Sequence, residues 1–269
     1  MSTIGDYGEA IILGIVQGIA EFLPISSSGH LVIIGEFIRK LTGRVIDPEA
    51  NVQLIVALHA GTLLSILVVY RNKLLAILRE RWVLVGIVVA TLPLVIIAPT
   101  PLKDFLEEGM ATPLVAGCCL LLTAFLLLVS RSMERGERSL EQITPLHAWL
   151  IGLFQLLAIL PGVSRSGSTI SGGLILGYTR EAAANFSFFI AIPAILGATV
   201  LKAADMIQGE ATGANFPIGP LVAGTVVSFI VGWLTLSWLL SIIARGRLHW
   251  FAIYCAVVGL VTIAWQLAT

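Results

Sequence analysis

Six stretches of the chain, near 52–70, 83–99, 113–130, 182–201, 218–243 and 249–267, are apolar and almost free of charge. Each is about long enough to cross a bilayer core, which takes roughly 20 apolar residues. Four further runs, at 10–23, 31–38, 148–160 and 170–178, are shorter. A helix of about 14 residues rises only about 21 Å against a hydrocarbon core of about 30 Å. The short runs come in two pairs, each joined by a break rich in proline, serine and glycine. Broken backbone at membrane depth is tolerated only where protein or water surrounds it. The expectation is an all-α membrane protein of six transmembrane helices plus two re-entrant helical hairpins. Composition agrees, with 57% hydrophobic and 12% charged residues, where a soluble domain has about one quarter charged. No separate soluble domain fits between the runs, so residues 1–269 are read as one integral membrane domain.

Sixteen basic residues balance sixteen acidic ones, and nothing suggests a nucleic-acid partner. Cys118, Cys119 and Cys255 lie within apolar runs and offer neither disulfide nor metal spacing. The N-terminal segment has Asp6 and Glu9 but no Lys or Arg before its apolar run, which makes it a poor signal peptide, expected to be retained.

The two breaks resemble each other. "GIVQGIAEFLPISSSGH" begins at Gly14 and "GLFQLLAILPGVSRSGST" at Gly152. Gly14 and Gly152, Gln17 and Gln155, Ser26 and Ser164, Ser28 and Ser166, and Gly29 and Gly167 share one offset of 138 residues, while Pro24 and Pro161 are out by one place. Repeat halves of about 8–130 and 146–267 follow, linked by a cytoplasmic loop 131–145. Each half has a hairpin and three spans, and an odd number of crossings makes the repeat inverted.

Loop charge supplies an orientation. Arg71, Lys73, Arg79 and Arg81, then Arg131, Arg135 and Arg138, then Arg245 and Arg247 mark cytoplasmic loops. The loops near 100–112 and 202–217 carry more acid than base and belong outside, with both termini. The first hairpin then enters from outside and the second from inside. Arg39, Lys40 and Arg44 run against this scheme.

Glu21 is the only acidic residue between Ala10 and Gly35, and Arg165 the only charged residue between Ala148 and Thr179. Ionisable groups at membrane depth face the bundle interior and seek partners. The simplest arrangement brings the hairpin tips together with Glu21 near Arg165, either as a structural ion pair or as part of a site. Ser26, Ser27, Ser28 and Gly29, like Ser164, Ser166, Gly167 and Ser168, precede a new helical run. Helix N-termini offer unpaired N–H groups and the positive dipole end, and arginine suits phosphate oxygens, so the pair of breaks makes an anion trap. Capping accounts for one serine per turn, not for three and a histidine. Ser27 is a candidate nucleophile or phosphate ligand and His30 a candidate proton carrier. Gln17 lies one turn before Glu21 on the same face. Glu21 is a candidate base, or one ligand of a Mg²⁺ or Ca²⁺ held mainly by substrate phosphates and water. His59 reads as a helix–helix contact, and His147 and His249 as interfacial. Pro93, Pro99 and Pro193 read as kinks, and Tyr70, Trp82, Trp149 and Trp250 as an interfacial belt.

"QGIAEFLPISSSGH" resembles the first signature of the undecaprenyl-diphosphate phosphatase family associated with bacitracin resistance. "LPGVSRSGSTISGG" resembles the second. The motifs stand in the family's order and at a similar separation, and the resemblance runs over essentially the whole chain. It implies an integral membrane phosphatase that converts undecaprenyl diphosphate to undecaprenyl phosphate and inorganic phosphate. That activity renews the lipid carrier of cell-wall synthesis and deprives bacitracin of its target. It further implies the cytoplasmic membrane of a bacterium, a site opening to the outer side, and a fold of six spans with two hairpins. By position in the signatures, Glu21 is the essential acid, Ser27 the nucleophile and Arg165 the phosphate-binding arginine. His30, Ser164, Ser166 and Thr169 match the other polar positions, and Ser26, Ser28 and Gln17 are taken with the phosphate-binding set. Activity with Mg²⁺ or Ca²⁺ is implied as well. Many members carry glutamate where this chain has Gln17, so here Glu21 bears any carboxylate chemistry alone. The expected partners are the polyprenyl diphosphate and membrane lipids, with the oligomeric state, a homodimer included, left open.

Broken helices in an inverted repeat are also the layout of secondary transporters, so a carrier of polyprenyl phosphate is the alternative. The Ser–His pair at the first break favours the enzyme, because a transporter needs no nucleophile.

Overall fold

The computed structural model describes residues 3–42, 52–133, 136–208 and 217–268. Arg44 and Arg135, on which part of the loop-charge reading rests, lie outside the described residues, as does much of the loop near 202–217. Among the described residues every element is helical, and one isolated bridge joins Arg138 to Tyr178. In chain order the helices are α1 (Thr3–Ala20), α2 (Ser27–Thr42), α3 (Val52–Ile77), α4 (Arg81–Ile97), the short α5 (Pro101–Asp104), α6 (Pro113–Ser132), α7 (Pro145–Leu157), α8 (Arg165–Ile175), α9 (Arg180–Gln208), α10 (Ile218–Ala244) and α11 (His249–Ala268). A π turn at Phe105–Gly109 and a 3₁₀ turn at Leu140–Gln142 complete them.

Several starts follow from local chemistry. Pro113 and Pro145 occupy first-turn positions of α6 and α7, behind Thr112 and Thr144, whose hydroxyls accept from the N–H groups of Val115 and His147. Proline loses nothing there, because that N–H has no helical acceptor, and threonine satisfies a donor further in.

α3, α6, α9, α10 and α11 are long and apolar enough to cross a membrane, which makes this a multi-pass membrane protein. α4, with Pro93 inside it, has 17 residues and rises only about 26 Å. The run 52–70 was expected to end before Arg71, but α3 continues through Arg71 and Lys73 to Ile77. Long basic side chains favour helix and extend their charges towards water, so the helix outlasts its apolar run. The arms of the first hairpin, of 18 and 16 residues, are likewise longer than the runs 10–23 and 31–38.

The outward faces are apolar. Val257, Leu260 and Val261 of α11 and Val222, Val226 and Leu234 of α10 are all exposed, a surface suited to lipid and far too extensive for water. Trp82 and Trp250 are exposed as interfacial residues should be. Tyr70 is not: it is 1% exposed and packs against Phe188 and Phe189 of α9. Its ring found an aromatic core because α3 lies across α9.

Packing is exchanged between the halves. α1 of the first lies on α10 of the second, and α7 of the second lies on α4 of the first; α3 meets α9, and α6 meets α11. Small residues allow this. A Cβ on Gly14 would stand 2.9 Å from the Gly224 carbonyl oxygen of α10, and one on Gly152 would stand 2.5 Å from the Ala90 carbonyl oxygen of α4. Backbone approach of this kind is the usual basis of helix association in lipid.

Candidate active site

α1 ends at Ala20 and α2 begins at Ser27; α7 ends at Leu157 and α8 begins at Arg165. The two turns are built alike. Gly29 N–H donates to Ser26 Oγ at 3.3 Å, and Gly167 N–H donates to Ser164 Oγ at 3.2 Å. The Ser26 and Ser28 hydroxyls lie 3.4 Å apart, and those of Ser164 and Ser166 3.3 Å apart. The Ser26 carbonyl accepts from His30 N–H, and the Ser164 carbonyl from Ser168 N–H. Ser27 and Arg165 therefore hold equivalent first positions of α2 and α8.

The tips interlock. Gly162 N–H donates to Ser26 Oγ at 3.1 Å, and a Cβ on Gly29 would lie 2.6 Å from Gly162 Cα. Gly162 itself has φ +102°, the region glycine tolerates. Thr123 of α6 holds the second tip, donating to the Gly162 carbonyl and accepting from Ser164 N–H, both at 3.0 Å. Ser26 has φ +64°, and among the described residues it is the sole non-glycine with positive φ. The five hydrogen bonds made through its hydroxyl and carbonyl maintain that conformation against a cost of about 1 kcal/mol or more.

Between the tips lies a cavity of about 70 Å³, lined by Glu21, Ser26, Ser27, Ser28, Ser164 and Arg165 together with Ala20, Ala158 and Val163. Arg165 Nη2 donates to Glu21 Oε1 at 2.5 Å, and Gln17 Nε2 donates to Glu21 Oε2 at 3.0 Å. Arg165 Nη1 is buried without a partner among the described residues. Among the described residues the Ser27 hydroxyl makes no hydrogen bond. The first N–H groups of α2 and α8, at Ser27, Ser28, Arg165 and Ser166, have no helical acceptor by their position. The arrangement sets fixed positive potential, an arginine with a spare guanidinium N–H and an unengaged hydroxyl around one small cavity, which suits a phosphoryl group.

The other residues singled out in the sequence lie around this cavity. The His30 ring is engaged on both sides, with Nδ1 2.7 Å from the Ser26 carbonyl and Nε2 2.8 Å from the Tyr254 hydroxyl, on which it stacks. A carbonyl only accepts, so the neutral ring carries its proton on Nδ1. Thr169 Oγ1 donates to the Arg165 carbonyl at 2.8 Å and lies 2.6 Å from Ser187 Oγ of α9. Of the residues expected at the site, Gln17, His30, Ser166 and Thr169 do not line the cavity.

His59, read from the sequence as a helix contact, comes to the site: its Nε2 lies 4.0 Å from Glu21 Oε2, and its Nδ1 is fixed on the Ile55 carbonyl. Tyr254 and Thr123 were not singled out at all. Their only sequence signal is a hydroxyl inside an apolar run, which many structural residues share.

Comparison with known proteins gives one family, described as bacitracin resistance protein BacA, whose model matches residues 10–261. The chain is 44% identical to an undecaprenyl-diphosphatase of Rhodopirellula baltica over 256 residues, which cover 95% of this chain and 96% of the relative. It is 38% identical to an undecaprenyl-diphosphatase of Carboxydothermus hydrogenoformans over 269 residues, 97% of each. A third, from Bacteroides fragilis, is 40% identical over 268 residues, 96% of this chain and 97% of its own length.

Proposed function

Because the chain belongs to the bacitracin resistance protein BacA family, we infer that it hydrolyses undecaprenyl diphosphate to undecaprenyl phosphate and inorganic phosphate. This is the activity named in its relatives. It renews the lipid carrier of cell-wall synthesis and removes the form that bacitracin captures. The observation that carries the reading is the cavity that Ser27 and Arg165, whose Nη1 has no partner among the described residues, line together between two helix N-termini.

In the mechanism we propose, the terminal phosphate sits between α2 and α8, held by Arg165 and the N–H groups of both first turns. Those donors also stabilise charge as it develops on the equatorial oxygens. Ser27 Oγ attacks the terminal phosphorus in line. Its O–P bond forms as the bond to the bridging oxygen breaks, undecaprenyl phosphate leaves, and the serine proton passes to Glu21. Water then cleaves the phosphoserine and releases inorganic phosphate. His30 acts through Ser26, whose carbonyl it holds, and so fixes the turn that presents Ser27. In the rival route water attacks the diphosphate directly and Ser27 is only a ligand.

The described residues contain no group of three His, Cys, Asp or Glu side chains able to enclose a metal. Glu21 nonetheless fits a Mg²⁺ or Ca²⁺ held otherwise by substrate oxygens and water, as one carboxylate with accepting capacity left on both oxygens. Such an ion would neutralise charge on the diphosphate.

We further propose that α3, α4, α6, α9, α10 and α11 cross the cytoplasmic membrane while α1–α2 and α7–α8 re-enter from opposite faces, with the cavity opening outward. The exchanged packing of the halves supports this reading. Nothing in the comparisons favours the carrier alternative.

The test is phosphate release from undecaprenyl diphosphate by purified protein in detergent, where no two sides exist. Turnover that disappears in Ser27→Ala supports the covalent route. Turnover that survives Ser27→Ala assigns the attack to water. No turnover by folded wild type, with or without Mg²⁺ or Ca²⁺, overturns the enzyme.

A further inference from the structure

A second cavity, roomier than the one between the hairpin tips, lies elsewhere among the described residues. It lies where α10 turns into α11, measures about 380 Å³, and is lined by Trp238, Ser241, Ile242, Arg245, Arg247, Trp250 and Phe251. The turn that shapes it is well defined. Gly246 has φ +66° and its N–H donates to the Ile243 carbonyl, while Arg247 N–H donates to the Ile242 carbonyl. This pair of bonds ends a helix in a left-handed glycine and sets an arginine on either side of it.

The cavity is well separated from the catalytic turn. A Cβ on Gly232 of α10 would lie 2.9 Å from Phe22, which fixes the level of the first break on that helix. Arg245 follows about three and a half turns later, roughly 20 Å further along the axis.

Three observations bear on what the cavity holds. Its charged groups are cationic, and among the described residues neither Arg245 nor Arg247 has an ion pair. Its walls are otherwise apolar or aromatic, and Trp238 and Trp250 are 53% and 63% exposed, opening it to the lipid-facing surface. It has no reactive group, since the Ser241 hydroxyl is spent on the Trp238 carbonyl at 2.7 Å. The chemistry matches an amphiphile with an anionic head and apolar chains, bound and not cut. Basic pockets between helices at a membrane surface take anionic headgroups in this manner, with tryptophan at headgroup level.

We propose that this cavity is a binding site for an anionic glycerophospholipid, its phosphate between Arg245 and Arg247 and its chains along Trp238 and Phe251. The site is independent of hydrolysis, and its test does not use activity.

The experiment is native mass spectrometry of the purified protein titrated with phosphatidylglycerol, phosphatidylcholine or undecaprenyl phosphate. The variants are R245Q/R247Q, R245K/R247K and, as a control, Arg81→Gln. Arg81 stacks over Trp82 elsewhere on the surface without lining this cavity. We expect phosphatidylglycerol to be preferred over phosphatidylcholine. That preference should fall on the order of thirtyfold in the glutamine pair, only in part in the lysine pair, and not at all in Arg81→Gln. Equal binding of the two phospholipids overturns the proposal. So does a loss in Arg81→Gln matching that of the glutamine pair, which would mean diffuse charge attraction. A preference for undecaprenyl phosphate that vanishes in the glutamine pair overturns it too, and makes the cavity a second polyprenyl site.

Discussion

Ser27 and Arg165 occupy the same position in two copies of one hydrogen-bonded turn, 138 residues apart, and face each other across one cavity. A single local design supplies a hydroxyl in one copy and a guanidinium in the other. The serines before and after them, Ser26 with Ser28 and Ser164 with Ser166, hold matching places in the two turns.

The guanidinium has two tasks, since Nη2 holds Glu21 while Nη1 has no partner among the described residues. Lysine keeps the charge but cannot bridge both. Arg165→Ala should lower kcat/KM about a thousandfold, and Arg165→Lys about a hundredfold, as loss of one directed donor does. Steady-state phosphate release measures both, and near-wild-type activity in the lysine variant would refute the bridging role.

Ser26 joins the hairpins. Its hydroxyl accepts from Gly29 and Gly162, and removing it leaves two buried donors unmet, at about 1–3 kcal/mol each. Ser26→Ala should therefore unfold at clearly lower temperature and lose most activity. Ser26→Gly, which relieves the positive φ, should be milder. Thermal unfolding in detergent ranks the two, and equal stability of all three proteins would contradict the assignment.

The tips also meet without room to spare. Gly29→Ala places a carbon 2.6 Å from Gly162 Cα, backbone against backbone, whereas a Cβ at Gly8 meets nothing within 4 Å. Gly29→Ala should abolish turnover and lower stability, and Gly8→Ala should change neither. Phosphate release and unfolding temperature of the pair decide it.

A single carboxylate makes a weak cation site. Free protein should show no Mg²⁺ or Ca²⁺ binding below about millimolar concentration by calorimetry, while chelation during turnover should slow phosphate release and either ion restore it. Tight binding by the free protein would require ligands other than Glu21.

Away from the cavity, burial, and after it the charge of Arg138, hold the His147 imidazole below its ordinary value. The ring lies 2.8 Å from the Tyr178 hydroxyl. The fold thus favours neutral His147, and its contribution is present above about pH 6.5 and lost as pH falls through the depressed value. Unfolding temperature measured from about pH 7.5 to 5 should drop less in His147→Gln than in wild type.

Much of this was legible in the sequence because membrane depth penalises charge. One acid and one base inside apolar segments had to find each other, and Glu21 and Arg165 do. The serine–glycine breaks were legible as helix starts for the same reason that helices need caps. What sequence could not supply was orientation. His30 bears the signature's histidine yet spends both nitrogens on Ser26 and Tyr254, while His59, from an ordinary span, reaches Glu21. Those outcomes depend on how α3 and α11 rotate against the hairpins, which no local pattern encodes. The extension of α3 past Arg71 was missed because hydropathy marks where lipid ends, not where hydrogen bonding does.

The exchange of packing partners has a consequence for biosynthesis. α1 rests on α10, a helix that emerges from the ribosome some two hundred residues later. Until then the first hairpin, with its carboxylate and serines, has no lasting neighbour along that face. A nascent chain arrested after the first half would hold a polar wedge in lipid covered only in part, by α3 and α6. Assembly in the membrane therefore has to be late and concerted, and the two halves, made as separate polypeptides in one cell, should find each other and restore the pair.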